Sequence, residues 1–248
     1  MDVDALITTL HTQGLLLGDA ADRAGPAADV PTCPGWTVRE LLLHVGHVHR
    51  WAALTVGDAR PTRPVLYWPD DPNADQPADD DLLDWYRAGH AHLVHTLRAA
   101  PIDLECWAFL PAPSPLAFWA RRQAHETTVH RADADRATGP GTSAPIDPDV
   151  AADGIDELLV GWSPTSKQLR ADDDHTLSVH ATDVGAHWLV RIGPDRPAAE
   201  RVPDTTSADM CVSGPADHLY LALWHRGPWA GLTVTGDAEQ VWSDGMRI

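Results

Sequence analysis

Lysine is almost missing from this chain. Lys167 is the only one, and every other basic side chain is arginine or histidine. With 18 Lys and Arg against 36 Asp and Glu, the formal charge is −18 at pH 7. That field repels a phosphate backbone, so nucleic-acid binding is disfavoured. An anionic small substrate needs a local cluster of arginine to overcome it. Cysteine is scarce too: Cys33, Cys106 and Cys211 are odd in number, widely spaced and form no Cys-x-x-Cys, so no disulfide framework is implied. No apolar run is long enough to span a bilayer, and no charged-then-apolar leader opens the chain. Helix-like sequence begins at Asp2, and the expected location is cytoplasmic, with no membrane partner.

What remains is an ordinary globular composition, 44% hydrophobic over 248 residues, enough for two domains or one large one. Residues 2–23 carry Leu6, Leu10, Leu15, Leu16 and Leu17 at helical spacing and stop at Gly25-Pro26. Thr37-Val-Arg-Glu40 reads as a capping box for a second helix running to about residue 56. Its apolar face is Leu41, Leu42, Val45, Val48 and Trp51, with His44 inside it. A Pro- and Asp-rich loop over 58–80 precedes a third helix over 81–99, with Leu82, Tyr86, Leu93, Val94 and Leu97 inward. After an irregular crossing at 101–113, Ser114-Pro115 starts a fourth helix that stops before Gly139-Pro140-Gly141. Asp147-Pro148 starts a fifth, running to about residue 160. A polar linker at 163–174 follows. Period-two strands are expected at 176–182 and 187–192, joined by a hairpin connection over 183–186. A further strand is expected at 209–213, a helix at 215–225, a strand at 231–235 and a short helix at 237–243. The expected organisation is an α-helical domain over 1–165 and a smaller α+β domain over 166–248, with no internal repeat.

The fourth helix carries the chemistry. Residues 119–135 read WARRQAHETTVHRADAD, with Glu126 and His130 spaced i, i+4. That spacing puts both side chains on one helix face, one turn apart, where they can share a divalent cation. Trp119, Gln123 and Asp133 fall on or near the same stripe. The plain alternative is a solvated ion pair contributing about 0.3–0.5 kcal/mol. The third ligand must come from elsewhere. His44 and His47, one turn apart, both qualify, and a histidine on an apolar face is equally readable as a core residue with a hydrogen-bond partner. His49 is expected at the surface, His125 facing a different neighbour, and His90, His92 and His95 on a partly solvated face. Asp133 is placed to accept the other N–H of the His130 imidazole, and Arg122 to pair with Glu126 or with substrate. Both, like Arg121, are equally readable as surface charges. Trp36 and Trp51 read as packing residues, and Cys33 as a buried thiol rather than a ligand.

Residues 31–51, PTCPGWTVRELLLHVGHVHRW, resemble the N-terminal motif of the mycothiol-dependent maleylpyruvate isomerase family. The 119–135 segment is similar to that family's second motif, and Ser213-Gly-Pro through Trp224-His-Arg226-Gly-Pro228 to its C-terminal domain. The resemblance implies a DinB-like four-helix bundle followed by an α+β domain. It implies a metal site on His44, Glu126 and His130, with His44 eight residues after Trp36, and a role in activity for Arg226. Two imidazoles and one carboxylate leave an open position, typical of catalytic zinc, and also hold Fe(II). The implied cofactors are a divalent metal, zinc first, and mycothiol. A metal-held thiolate would add to an activated double bond; rotation and release would complete a cis–trans isomerisation. Arg226 would clamp a substrate carboxylate. The expected function is thus a thiol-dependent isomerase or thiol transferase acting on a small electrophile. The alternative is a non-catalytic metal- or small-molecule-binding protein of the same fold.

Overall fold

The computed structural model describes residues 1–65, 71, 74–139, 144–204 and 207–246. The chain divides into two compact units, Met1–Ala144 and Pro145–Ile248. The described part of the first unit holds four long helices: α1 (Val3–Ala24), α2 (Val38–Gly57), α3 (Asp79–Ala99) and α4 (Pro115–Ala137). Their ends follow from local chemistry. Asp2 Oδ1 accepts from the Ala5 N–H at 2.8 Å, and Gly25 ends α1 at φ 81°. The capping box of α2 forms, with the Thr37 N–H donating to Glu40 Oε2 at 2.8 Å. Ser114 Oγ accepts from the Ala117 N–H at 3.1 Å, and Pro115 supplies the first turn of α4. Pro140 and Gly141, expected to stop this helix, lie outside the described residues, as do 66–70 and 72–73 of the loop expected over 58–80.

Packing sets which helices meet. α1 lies against α4 and α3, and α2 against α3 and α4, so α1 faces α2 only across a diagonal. The centre is filled by Leu10, Leu17, Leu41, Leu82, Tyr86, Leu93, Leu97 and Trp119, all essentially without exposure. Leu15 is half exposed; Leu17, two positions on, takes the core. Two histidines also depart from expectation. His49 is fully buried, and its Nε2 shares a hydrogen bond with Thr127 Oγ1 at 2.9 Å. His90 is buried, with Nε2 bonded to the Leu10 carbonyl at 3.1 Å and its ring stacked on Tyr86. Helices packed on two sides bury more than one stripe, which a single-face reading of the sequence overlooks.

In the second unit, α5 (Pro148–Asp156) passes into a wider π-helical turn, Glu157–Trp162, and a short tight turn, Ser163–Thr165. The strands are β1 (His175–Ala181), β2 (Ala186–Ile192), β3 (Ala198–Val202), β4 (Met210–Gly214) and β5 (Thr233–Thr235), with α6 (Ala216–Leu223) between β4 and β5 and α7 (Ala238–Gly245) last. The sheet order is β3-β2-β1-β4-β5, antiparallel except where β4 runs parallel to β1. α6 makes the crossover from β4 to β5. The β1–β2 hairpin places Ala181 opposite Ala186, with Gly185 at φ 62° in its turn. β3 was not expected: Ala-Ala-Glu-Arg-Val has no hydrophobic alternation because it is an exposed edge strand. α5 belongs to this unit, with its Asp156 Oδ1 accepting from Trp188 Nε1 at 2.9 Å. The division therefore falls after Ala144 and not near 165. The change from helical to alternating pattern at 165 is a change of element inside the second unit.

The described residues include no helix long and apolar enough to cross a membrane.

Gly14 of α1 meets the His90 ring, and a Cβ there would stand 2.2 Å from Nε2. Gly14→Ala is expected to cost about 2 kcal/mol. Overpacking costs about 1–3 kcal/mol and the lost bond to Leu10 adds to it, against about 1 kcal/mol of gained helix propensity. Urea unfolding of the two proteins measures the difference.

Candidate metal centre

α2 and α4 run side by side, and that contact brings the three candidate ligands together. Glu126 and His130 share a face of α4. His44 reaches them from the apolar face of α2. His44 Nε2 lies 3.1 Å from Glu126 Oε1, and His130 Nε2 lies 3.4 Å from the same oxygen. A tetrahedral site with bonds of about 2.0–2.1 Å has donor–donor edges of about 3.3–3.4 Å. The separations are therefore close to those of a cation's donors, and the donor types suit one. His44, Glu126 and His130 form one of two groups of donors among the described residues able to hold an ion; Cys33, His130 and Asp133 form the other.

Charge in the cluster is strongly biased. Burial alone would push the Glu126 carboxyl up, but bonds from His130 and His44 and the charge of Arg122 outweigh it and hold it well below the usual range. Burial would likewise push the His130 imidazole down. Asp133, Cys33 and Glu126 around it outweigh that, and it stands well above an ordinary histidine.

The surroundings hold each donor. His130 Nδ1 donates to Asp133 Oδ2 at 2.8 Å, as expected from their spacing. Arg122 Nη2 donates to Glu126 Oε2 at 3.3 Å, leaving Oε1 to face the two imidazoles. Neither residue is a surface charge: Asp133 and Arg122 are both buried. Trp36, read as packing, lays its ring beside both imidazoles, with centroids 5.0 Å from His44 and 6.3 Å from His130. About a fifth of the Glu126 side chain and 15% of His44 remain exposed, so the cluster is reachable from solvent. His47 does not join it. Its Nε2 bonds the Asp75 carbonyl at 3.1 Å and its ring meets Trp85 edge-on. Thr32 escaped the sequence reading, yet its hydroxyl donates to Asp133 Oδ1 at 2.6 Å. Its place in the turn leading to Trp36 was the available signal.

Arg226 belongs to the second unit, in the turn that closes α6. Its N–H donates to the Leu221 carbonyl at 2.7 Å, its Nη1 to the Trp224 carbonyl at 3.0 Å, and His225 before it takes the left-handed conformation at φ 57°.

Comparison with known proteins agrees with this architecture. The model of the mycothiol maleylpyruvate isomerase N-terminal domain matches residues 7–135, and the model of that family's C-terminal domain matches 149–242. Two solved structures share the fold. One is a crystal structure of the mycothiol-dependent maleylpyruvate isomerase, with a TM-score of 0.65; the other is a histidine-to-alanine mutant of it, with a TM-score of 0.66. Each is 15% identical and covers 95% of this chain and 93% of its own. No curated protein sequence matches the chain.

Removing Arg122 leaves Glu126 Oε2 without this donor in a largely buried place. Arg122→Met is expected to destabilise the metal-free protein by about 2–3 kcal/mol, less than a sealed pair because Glu126 meets some solvent. Chemical denaturation at neutral pH checks it.

Proposed function

The chain belongs to the mycothiol maleylpyruvate isomerase family, whose two domain models it matches in order, and from that premise we propose that it is a metal-dependent enzyme using mycothiol, a low-molecular-weight thiol, to isomerise a small electrophilic substrate or to transfer the thiol to one. The observation that carries this reading is the convergence of His44 Nε2 and His130 Nε2 on one oxygen of Glu126. Two imidazoles and a carboxylate are a donor set of catalytic zinc with a fourth position open, and zinc is our assignment. A cation held by His44, Glu126 and His130 would favour the deprotonated form of a thiol bound beside it and so supply a nucleophile for an activated double bond.

The protein's own residues have separable tasks. His130 presents Nε2 because Asp133 holds Nδ1. Glu126 presents Oε1 because Arg122 holds Oε2. The Arg122 guanidinium also places positive charge beside the centre, which opposes the −18 net charge and favours a thiolate and an anionic substrate there. Trp36 covers both imidazoles on one side. Arg226 is proposed to bind a substrate carboxylate through its planar fork. Cys33, Cys106 and Cys211 form no disulfide, in keeping with a reducing compartment, and a cytoplasmic location is part of the same proposal.

The test uses protein purified without a metal-affinity tag, analysed for bound metal and assayed on maleylpyruvate with and without mycothiol. His130→Ala is expected to lose the metal and at least about 100-fold of thiol-dependent turnover. Unchanged metal content in that variant would remove this centre.

Acidity gives a second check. His130 stands above the ordinary histidine value and must surrender a proton to serve as a ligand. Zinc affinity is therefore expected to fall as pH falls, by about tenfold per pH unit for each proton released. Calorimetric titration in buffers of different ionisation enthalpy counts those protons.

A further inference from the structure

We propose that the turn before α2 is a positioning device for the metal centre, in which Thr32 and Cys33 hold Asp133 and Asp133 holds His130 with Nε2 toward Glu126 and His44. The inference rests on the metal-centre reading above and assigns roles to residues that it leaves aside.

Asp133 has no exposure, and a buried carboxylate needs donors on both oxygens. The Thr32 hydroxyl donates to Oδ1 at 2.6 Å. The Cys33 thiol, 3.3 Å away, and His130 Nδ1, 2.8 Å away, both donate to Oδ2. Two of these donors come from a turn about a hundred residues before Asp133 in the chain. That turn is closed by its own backbone. The Cys33 N–H donates to Val30 O at 3.0 Å, Trp36 N–H to Cys33 O at 2.9 Å and Val30 N–H to Trp36 O at 2.9 Å, and Asp29 bridges to Thr37. Thr32 and Cys33 are thus presented on a fixed loop, and Asp133 is held from outside its own helix.

The consequence concerns the imidazole. With Nδ1 committed as a donor to Asp133, the lone pair for a cation is on Nε2. His130 is common to both candidate donor groups, the one with His44 and Glu126 and the one with Cys33 and Asp133. The Nδ1–Asp133 bond decides between them. The space on the Cys33 side is taken by protons donated to one carboxylate, so Cys33 acts as a thiol donor and is neither metal ligand nor nucleophile. Thr32 and Cys33 are positioning residues that act through Asp133.

Zinc affinity is measured by competition with a chromogenic chelator, beside the melting temperature of each metal-free protein. Asp133→Asn is expected to weaken zinc binding about 10–100-fold, and Thr32→Val and Cys33→Ala by smaller factors of about 3–10. Thr32→Ser, which restores the hydroxyl, is expected to bind within about twofold of wild type, following the range for such supporting contacts. A purely structural role would lower the metal-free melting temperature and leave affinity unchanged. Cobalt-loaded wild type is expected to lack thiolate-to-metal absorption. That absorption, or wild-type affinity in both Thr32→Val and Cys33→Ala, overturns the inference. Glu126→Gln keeps the two readings apart. If it retains zinc, the centre itself is wrong. If it loses zinc while the Thr32 and Cys33 variants bind normally, only the positioning device fails.

Discussion

One carboxylate oxygen organises this molecule. Glu126 Oε1 is approached by His44 from α2 and by His130 from its own helix, and its partner oxygen is tied to Arg122. A group so placed is costly to bury unless every neighbour is held in position. Much of the first unit can be understood as meeting that demand. α4 supplies Arg122 and His130 one turn to either side of Glu126, and α2, packed against α4, brings His44 to it.

α4 shows how that demand shapes a whole helix. Its sequence is polar, yet it is buried along nearly all its length. Several of its polar side chains bond partners in other elements. Thr127 bonds His49 of α2, and Asp133 bonds Thr32 and Cys33 of the turn before it. Arg131, fully buried, donates to Gln13 of α1 at 2.9 Å and to Asp135 at 2.6 Å. A helix stabilised this way resists sliding or rotation, because each displacement breaks several directional bonds at once. The side chains on it are held in position for that reason.

The legible parts of the fold were those with local causes. Asp2, Thr37 with Glu40, and Ser114 with Pro115 mark helix starts through bonds within four residues, and the structure shows those starts. The Glu126 and His130 pair was legible because its spacing is a property of one helix. His44 was distinguishable from His47 only through the family motif, since both sit on the same helix and the difference lies in what each meets across the bundle. His49 and His90 were misread for the same reason: their partners, Thr127 and Leu10, belong to other helices. β3 and the domain division were missed because an edge strand carries no alternation and because α5 looks like its predecessors until its contacts are known.

The donors to Glu126 and Asp133 are split between an early stretch of chain, residues 32–44, and a late one, residues 122–130. During synthesis the first stretch leaves the ribosome long before the second exists. No partial product that stops before α4 brings these side chains together. The cluster is therefore a property of the finished bundle, and a truncated or proteolysed chain that loses α4 loses the meeting of His44, Glu126 and His130 altogether.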